Sequence, residues 1–349
     1  MVMTKKVFFF TLLILLVALS FFFMRVKSVQ KPLPSIKKAK TISPSVLDRP
    51  PLLYVKGNKI RRKDTDEIVQ LKGVTSMILT NGLTSKNKFM KRLDRVKEWN
   101  INLLGIYINP YQTQGKDALL DEIVAWSRQN SIYLYVMPAI NVKDTSHDGL
   151  TQVARFPQML EHVAKRYKAE QHIMYGLWAE PRDIPWVVWE KVARSTSAYV
   201  RAHNPNAIIL MTGVQYGRIF DEKNPLSIDN VICDFHDYPW MNAQEAQDSS
   251  GHLVYGVLWE KVMYDCPVLV GEFGGVYRED FGSKEDTDYI AKIIGLVNKD
   301  KLHYSAYTID DEGELGIYDW NLNKPTQKGR IILEDLSIYP PTVFKIVKK

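Results

Sequence analysis

From residue 71 onward the chain alternates short apolar runs with stretches whose apolar residues recur at spacings of three and four. The runs occupy 71–75, 101–108, 132–140, 172–178, 207–213, 231–236, 267–273 and 304–310. They are rich in β-branched residues and nearly continuous in apolarity, as expected of parallel strands buried on both faces. The intervening stretches, such as 88–100, 118–130 and 156–170, carry the helical period. Eight strands with helical spacing between most of them, in about 240 residues, predict a single (β/α)8 TIM barrel. A hairpin centred on Gly57-Asn58 precedes the first strand. No Gly-x-Gly-x-x-Gly and no P-loop occurs, so a doubly wound nucleotide fold has no support.

The first 50 residues follow a different pattern. Lys5 and Lys6 precede 18 uncharged residues, Val7 to Met24, about the minimum for a membrane-spanning helix. A cleaved signal peptide is the rival reading, with Ala18-Leu19-Ser20 as a poor cleavage site. Residues 25–50 read as a flexible, basic, proline-punctuated linker. The expected organisation is therefore a membrane anchor at 1–24, the linker at 25–50 and the barrel domain at 51–349. Six basic residues between Arg25 and Lys40 would by themselves keep that flank cytoplasmic. Large domains can be translocated despite such counts, and the chemistry argued below requires the barrel outside the cytoplasm, tethered or, after cleavage, secreted.

Charge changes one conclusion. The net +7 looks like a nucleic-acid signal, yet residues 1–50 hold nine basic residues against Asp48 alone. Residues 51–349 therefore carry −1, so no basic groove is implied and no nucleic-acid partner is expected. With 46% apolar and 11% aromatic residues, the chain can build a sizeable core. Cys233 and Cys266 are the only cysteines, placed near the starts of neighbouring strands, either bridged or as two buried thiols. Metal-ligand spacings are lacking, so neither metal nor cofactor is expected, and "DDEGE" at 310–314 reads as a solvated loop.

The barrel gives two glutamates a reason to exist. Catalytic groups of such barrels sit where strands end and loops begin. Glu180 ends the fourth run and Glu272 the seventh, across the barrel mouth from each other. One protonated and one ionised carboxyl facing a single cleft suit glycosidic cleavage. Either glutamate alone could equally be a cap or ion-pair residue; two at matched positions argue for chemistry.

These motifs together resemble glycoside hydrolase family 5. "YGLWAEP" (175–181) and the following helix resemble its acid/base strand, whose pattern is Asn-Glu-Pro. "LKGV" (71–74) resembles its first strand, "FHDYPW" (235–240) its His-x-Tyr strand, and "PVLVGEFGG" (267–275) its nucleophile strand. The resemblance runs from about Tyr54 to Asn321 and implies Glu180 as acid/base and Glu272 as nucleophile. It further implies that His236 and Tyr238 line the central sugar subsite, with the Tyr238 hydroxyl near Glu272. Trp240 and Tyr307 would also meet sugar. Tyr107, Tyr111, Trp186, Tyr216, Tyr277 and Trp320 lie near strand ends or following loops, where rings could stack or simply pack.

Departures from that pattern cluster on one subsite. Ala179 stands where the family has Asn, removing a hydrogen bond to the sugar 2-hydroxyl that strengthens in the transition state. Gly105 stands near the position of an Arg, the third strand's usual His has no counterpart, and Tyr307 replaces a Trp. The expectation is a monomeric, retaining glycoside hydrolase acting on a β-linked oligo- or polysaccharide, its rate weakened by Ala179 and Gly105. The alternative is a catalytically degenerate barrel that binds glycan or a surface partner. His172 and His303 begin strands, at the opposite face, and read as structural.

Overall fold

The computed structural model describes residues 49–81, 85–110, 116–139, 154–182, 184–220, 228–238, 259, 262–274, 287–311 and 315–341. All of these fall within one compact unit, Val46–Lys349. The N-terminal anchor, linker residues 25–48, Trp240, Tyr111 and Tyr277 lie outside the described residues. Among the described residues no helix is long and apolar enough to cross a membrane.

Eight parallel strands close into a barrel in chain order. They are β3 (Lys72–Met77), β4 (Leu103–Ile108), β5 (Tyr133–Pro138), β6 (Ile173–Gly176), β7 (Ile209–Thr212), β8 (Val231–Asp237), β9 (Val268–Phe273) and β10 (His303–Ala306), with β10 pairing back onto β3. All eight predicted runs are therefore strands. Alternation divides their side chains between two layers. Leu104, Ile106, Val136, Cys233, Phe235, Val268 and Val270 face the surrounding helices. Tyr107, Tyr133, Tyr135, Met137, Leu210, Ile232 and Leu269 pack within the other cluster, the barrel interior. Burial of both layers provides most of the driving force for closure, at roughly 25 cal/mol per Å² of apolar surface.

The helices bind through one face each. In Lys86–Val96 the buried residues Phe89, Arg92, Leu93 and Val96 keep spacings of three and four, and Ser85 caps the first turn by accepting from Lys88 N. Helix Gln327–Ile338 begins the same way, with Thr326 accepting from Gly329 N.

The predicted hairpin, β1 (Leu53–Lys56) with β2 (Lys59–Arg62), turns at Gly57-Asn58 with Gly57 at φ +57°. Its Leu53 and Ile60 join the interior cluster, and Tyr133 Oη donates to Pro51 O at 2.6 Å. The hairpin thus closes the N-terminal end of the barrel and leaves the C-terminal end as the mouth. Cys233 and Cys266 are free and buried, and burial plus the neighbouring thiol push Cys233 well above the ordinary range.

Candidate active site

Glu272 lies on β9 at the mouth, 7% exposed. A bulge sets its position: Phe235 pairs with Val270, but His236 pairs with Glu272, so Gly271 is skipped. Gly271 is required there, because a Cβ would come within 2.0 Å of Asp234 Oδ1. Glu180 needs a correction. β6 stops at Gly176, so the carboxylate sits four residues beyond the strand rather than at its end. Leu177 N and Ala179 N still donate to Leu210 O and Pro138 O, extending the ladder without strand geometry and carrying Glu180 over the barrel axis.

The two carboxylates and an imidazole converge. His236 Nδ1 lies 3.1 Å from Glu180 Oε1 and 3.7 Å from Glu272 Oε2, and these three atoms all fall within 4.8 Å of one another. The Tyr238 hydroxyl donates to Glu272 Oε2 at 3.2 Å. Of the predicted site residues, Glu180, Glu272, His236 and Tyr238 are brought together by direct contacts. Tyr307, just past β10, packs in the interior cluster and joins Thr308 through a cis peptide. A hydrogen bond joins His236 to Glu180, and Glu272 lies within ion-pair distance of the same nitrogen, an acid–imidazole set.

Burial pushes the Glu272 carboxyl up to about 7; the His236 charge pulls it down, and Glu180 pushes it up again. Burial alone would lower His236, yet Glu272, Asp234 and Glu180 together hold it well above its ordinary value. Glu272 therefore holds a proton to higher pH than a free carboxyl does, and the cationic imidazole beside it offsets part of that cost. The phenols of Tyr107 and Tyr238 are driven far upward, first by burial and then by Glu272, and stay neutral.

Two neighbours escaped the sequence reading, and a third takes another role than expected. Tyr107 on β4, expected at most to stack on sugar, turns its buried hydroxyl toward Glu272 and stabilises its charge without the alignment of a full hydrogen bond. Tyr135 on β5 covers Gly105, whose added Cβ would meet the Tyr135 ring at 2.1 Å. Asp234 lies beneath His236. A period-two signal was available for this last one: Asp234, His236 and Tyr238 alternate along one strand face.

The other aromatic candidates pack. Trp320 donates from Nε1 to Ile309 O at 2.7 Å, stacks on Trp99 and lies under Arg92. Trp186 packs on Phe220. Tyr216 lies under Arg182, at φ +60°. His172 contacts Ser127 Oγ at 2.9 Å, and His303 Nδ1 accepts from Leu71 N, both at the N-terminal end as expected. A surface cavity of about 1090 Å³ also opens at that end, lined by Lys59, Ile68, His303, Asp335 and Tyr339, far from the glutamates.

The family profile of cellulase (glycosyl hydrolase family 5) matches residues 63–313. The chain belongs to glycosyl hydrolase family 5. An endoglucanase of Microbulbifer sp. (strain ALW1) is 23% identical over 297 residues, 77% of this chain and 53% of the relative. The chain thus spans about half the length of that curated relative. Among solved structures, a β-glucanase of Saccharophagus degradans in complex with cellotetraose aligns with TM-score 0.69 at 20% identity, covering 83% of this chain and 93% of that one. The catalytic domain of a Thermobifida fusca endoglucanase aligns with TM-score 0.67 at 16% identity, covering 81% and 96%. These likenesses carry the family-5 fold.

Proposed function

We propose that the chain is a retaining glycoside hydrolase that cleaves a β-linked glycan by double displacement. The observation that carries this reading is that one oxygen of Glu180 and one of Glu272 lie within 4.8 Å of each other, which favours the shorter of the two spacings known for such pairs. Retaining enzymes hold their carboxyls roughly 5–5.5 Å apart, whereas inverting enzymes need about 6.5–9.5 Å to admit a water. Glu272, oriented by Tyr238, attacks the anomeric carbon and forms a glycosyl-enzyme. Glu180, the more exposed of the two, protonates the departing glycosidic oxygen. In the second step Glu180 takes a proton from water, which cleaves the ester and returns the sugar with its configuration retained. His236 and Tyr238 line the central subsite, and Trp240 and Tyr307 offer rings to the sugar.

The substrate class we favour is a β-glucan, supported by the cellotetraose bound to the Saccharophagus degradans relative and the endoglucanase names of others. The barrel acts outside the cytoplasm as a monomer, tethered by residues 1–24 through the linker at 25–50. The hydrophobic run and the polymeric substrate class support that placement. A second reading, a glycan-binding barrel of weak or no turnover, draws on Ala179 and Gly105, which withhold two polar side chains from the subsite.

Reducing ends released from β-glucans, mannans, xylans and galactans should separate the two readings. We expect activity on at least one β-glucan, with the β-anomer appearing first by NMR. Binding without any release of reducing ends would favour the second reading.

A further inference from the structure

Beneath the two glutamates lies a third buried carboxylate that double displacement does not use. Asp234 is 1% exposed. Its Oδ2 accepts from Thr212 Oγ1 at 2.7 Å and faces His236 Nε2 at 3.4 Å. Its Oδ1 occupies the gap left by the missing side chain of Gly271. The bulge that aligns His236 with Glu272 thus also makes room for Asp234.

The arrangement leaves His236 little choice of protonation state. A neutral imidazole has one donor nitrogen and one acceptor nitrogen. Here both nitrogens face carboxylates: Nδ1 lies 3.1 Å from Glu180 and 3.7 Å from Glu272, and Nε2 lies 3.4 Å from Asp234 Oδ2, short of full hydrogen-bond alignment. An acceptor lone pair aimed at a carboxylate oxygen is repulsive, so the geometry fits a ring carrying both protons. Among the described residues, no lysine or arginine is within ion-pair distance of these three carboxylates; His236 is their one cationic partner.

Among the described residues, the side chains that face the ring from the neighbouring strands are neutral phenols. Tyr107 from β4, Tyr135 from β5 and Tyr238 just past β8 present buried phenols. On the last side, the backbone of Gly217, flanked by Tyr216 and Arg218, packs on the His236 Cβ.

We propose that Asp234 is a positioning residue of this site: anchored by Thr212 and by the space at Gly271, it holds the Nε2 proton of His236, so that an imidazolium steadies the Glu180–Glu272 pair. Only the consequence for turnover rests on reading the two glutamates as catalytic; the state of His236 does not.

The test uses full-length protein and Asp234→Asn, an isosteric change that keeps a partner for Thr212. In wild type, ¹⁵N spectra of histidine-labelled protein, assigned with His236→Gln, should show both ring nitrogens of His236 protonated above pH 7. Asp234→Asn should lose one ring proton about one pH unit lower or more. With substrate, the acid limb of kcat/KM should move to higher pH, because Glu272 loses the charge that offsets its burial, while KM changes little. Thr212→Val, which loosens Asp234 without removing it, should shift both readouts less and in the same direction, and serves if Asp234→Asn fails to fold. A wild-type His236 that titrates near 6.5 overturns the proposal, as does an unmoved titration in both variants. A uniform drop in kcat with fixed pH limbs would mark Asp234 as structural only. If no glycan is turned over, the spectra still decide the question.

Discussion

The two ends of the barrel bury charge in opposite ways. At the N-terminal end Lys72 is fully buried, and its Nζ donates to Asp335 Oδ2 at 2.9 Å, Asn298 Oδ1 at 2.8 Å and Tyr339 O at 3.1 Å. Asp335 is completed in turn by Tyr304 Oη and Asn298 Nδ2. The Lys72 ammonium and the Asp335 carboxylate thus meet each other, and both are further hydrogen-bonded. At the mouth, three carboxylates share one imidazole, and Tyr107 Oη, Tyr135 Oη, Asp234 Oδ1 and His236 Nε2 lack a hydrogen bond of full geometry. The pair at the first end is neutralised and hydrogen-bonded where it lies. The second is held in an unfavourable state by the rest of the fold, as expected where carboxylates must change protonation during a reaction. A barrel that keeps these tasks at opposite ends can vary one without unfolding the other.

The largest effect should come from breaking the mouth. Glu272→Gln removes the nucleophile, so no glycosyl-enzyme forms and turnover of every substrate should vanish. Glu180→Gln should cost about 10²–10⁴-fold on natural glycan, but far less in the first step on a substrate whose leaving group needs no proton. In Glu180→Gln the intermediate should accumulate, visible as a burst, and azide should relieve the block. Equal turnover by both variants and wild type would mean that the mouth is not strained for chemistry.

At the other end the same operation should cost stability and leave chemistry alone. Lys72→Met strands Asp335 without its counter-charge and should lower unfolding free energy by about 3–5 kcal/mol. The double variant Lys72→Met/Asp335→Leu should recover much of that loss, since matched apolar replacement of a buried pair is often neutral. Denaturant melts measure both, and kcat of the folded fraction should stay at the wild-type value. A loss of kcat in Lys72→Met would show that the two ends are coupled.

How far the sequence reveals this division depends on what each feature requires. Strands buried on both faces leave continuous apolar runs, so all eight were legible, as was the hairpin turn at Gly57. Glu180, Glu272, His236 and Tyr238 were legible as well, because each follows or sits in such a run. The extension past Gly176 was not, since backbone ladder bonds without strand dihedrals leave no periodic mark. Nor was the bulge at Gly271, which changes the register of His236 and Glu272 by spacing alone. Asp234 and Tyr135 went unnoticed for a related reason. Their roles depend on contacts with glycines on neighbouring strands, and a glycine in a run shows only that something is absent.

Gly105 offers a smaller test of how tightly the interior beneath the mouth is built. An added methyl would meet the Tyr135 ring at 2.1 Å, well inside contact distance. Gly105→Ala should therefore destabilise by roughly 1–3 kcal/mol, through overpacking. Tyr135→Leu in the same chain should return part of it, in a non-additive double-mutant cycle. A neutral Gly105→Ala would indicate that Tyr135 can swing aside, and that space for a larger side chain exists at this position.

The smallest effect is also the most direct measure of strain at the mouth. Burial raises Glu272 to about 7, above its ordinary 4.5. Between those two values the folded site holds a proton that the unfolded chain has released. By linkage, this group makes the protein less stable as pH rises through that window. Glu272→Gln removes the group and the penalty together, although His236 then loses one of the carboxylates that support its charge. The variant should match wild type near pH 4.5 and exceed it by roughly 1–2 kcal/mol at pH 7.5. The N-terminal end should contribute the opposite slope. Burial lowers His303 to about 3 and His172 to about 4, so wild type and variant alike should lose stability as pH falls below about 6.5. Because that slope is common to both proteins, it cancels in their difference, which therefore isolates the mouth. A Glu272→Gln protein that melts below wild type at pH 7.5 would mean that the hold of His236 on Glu272 outweighs the cost of burying it. The contrast between the two ends would then lie in chemistry alone and not in stability.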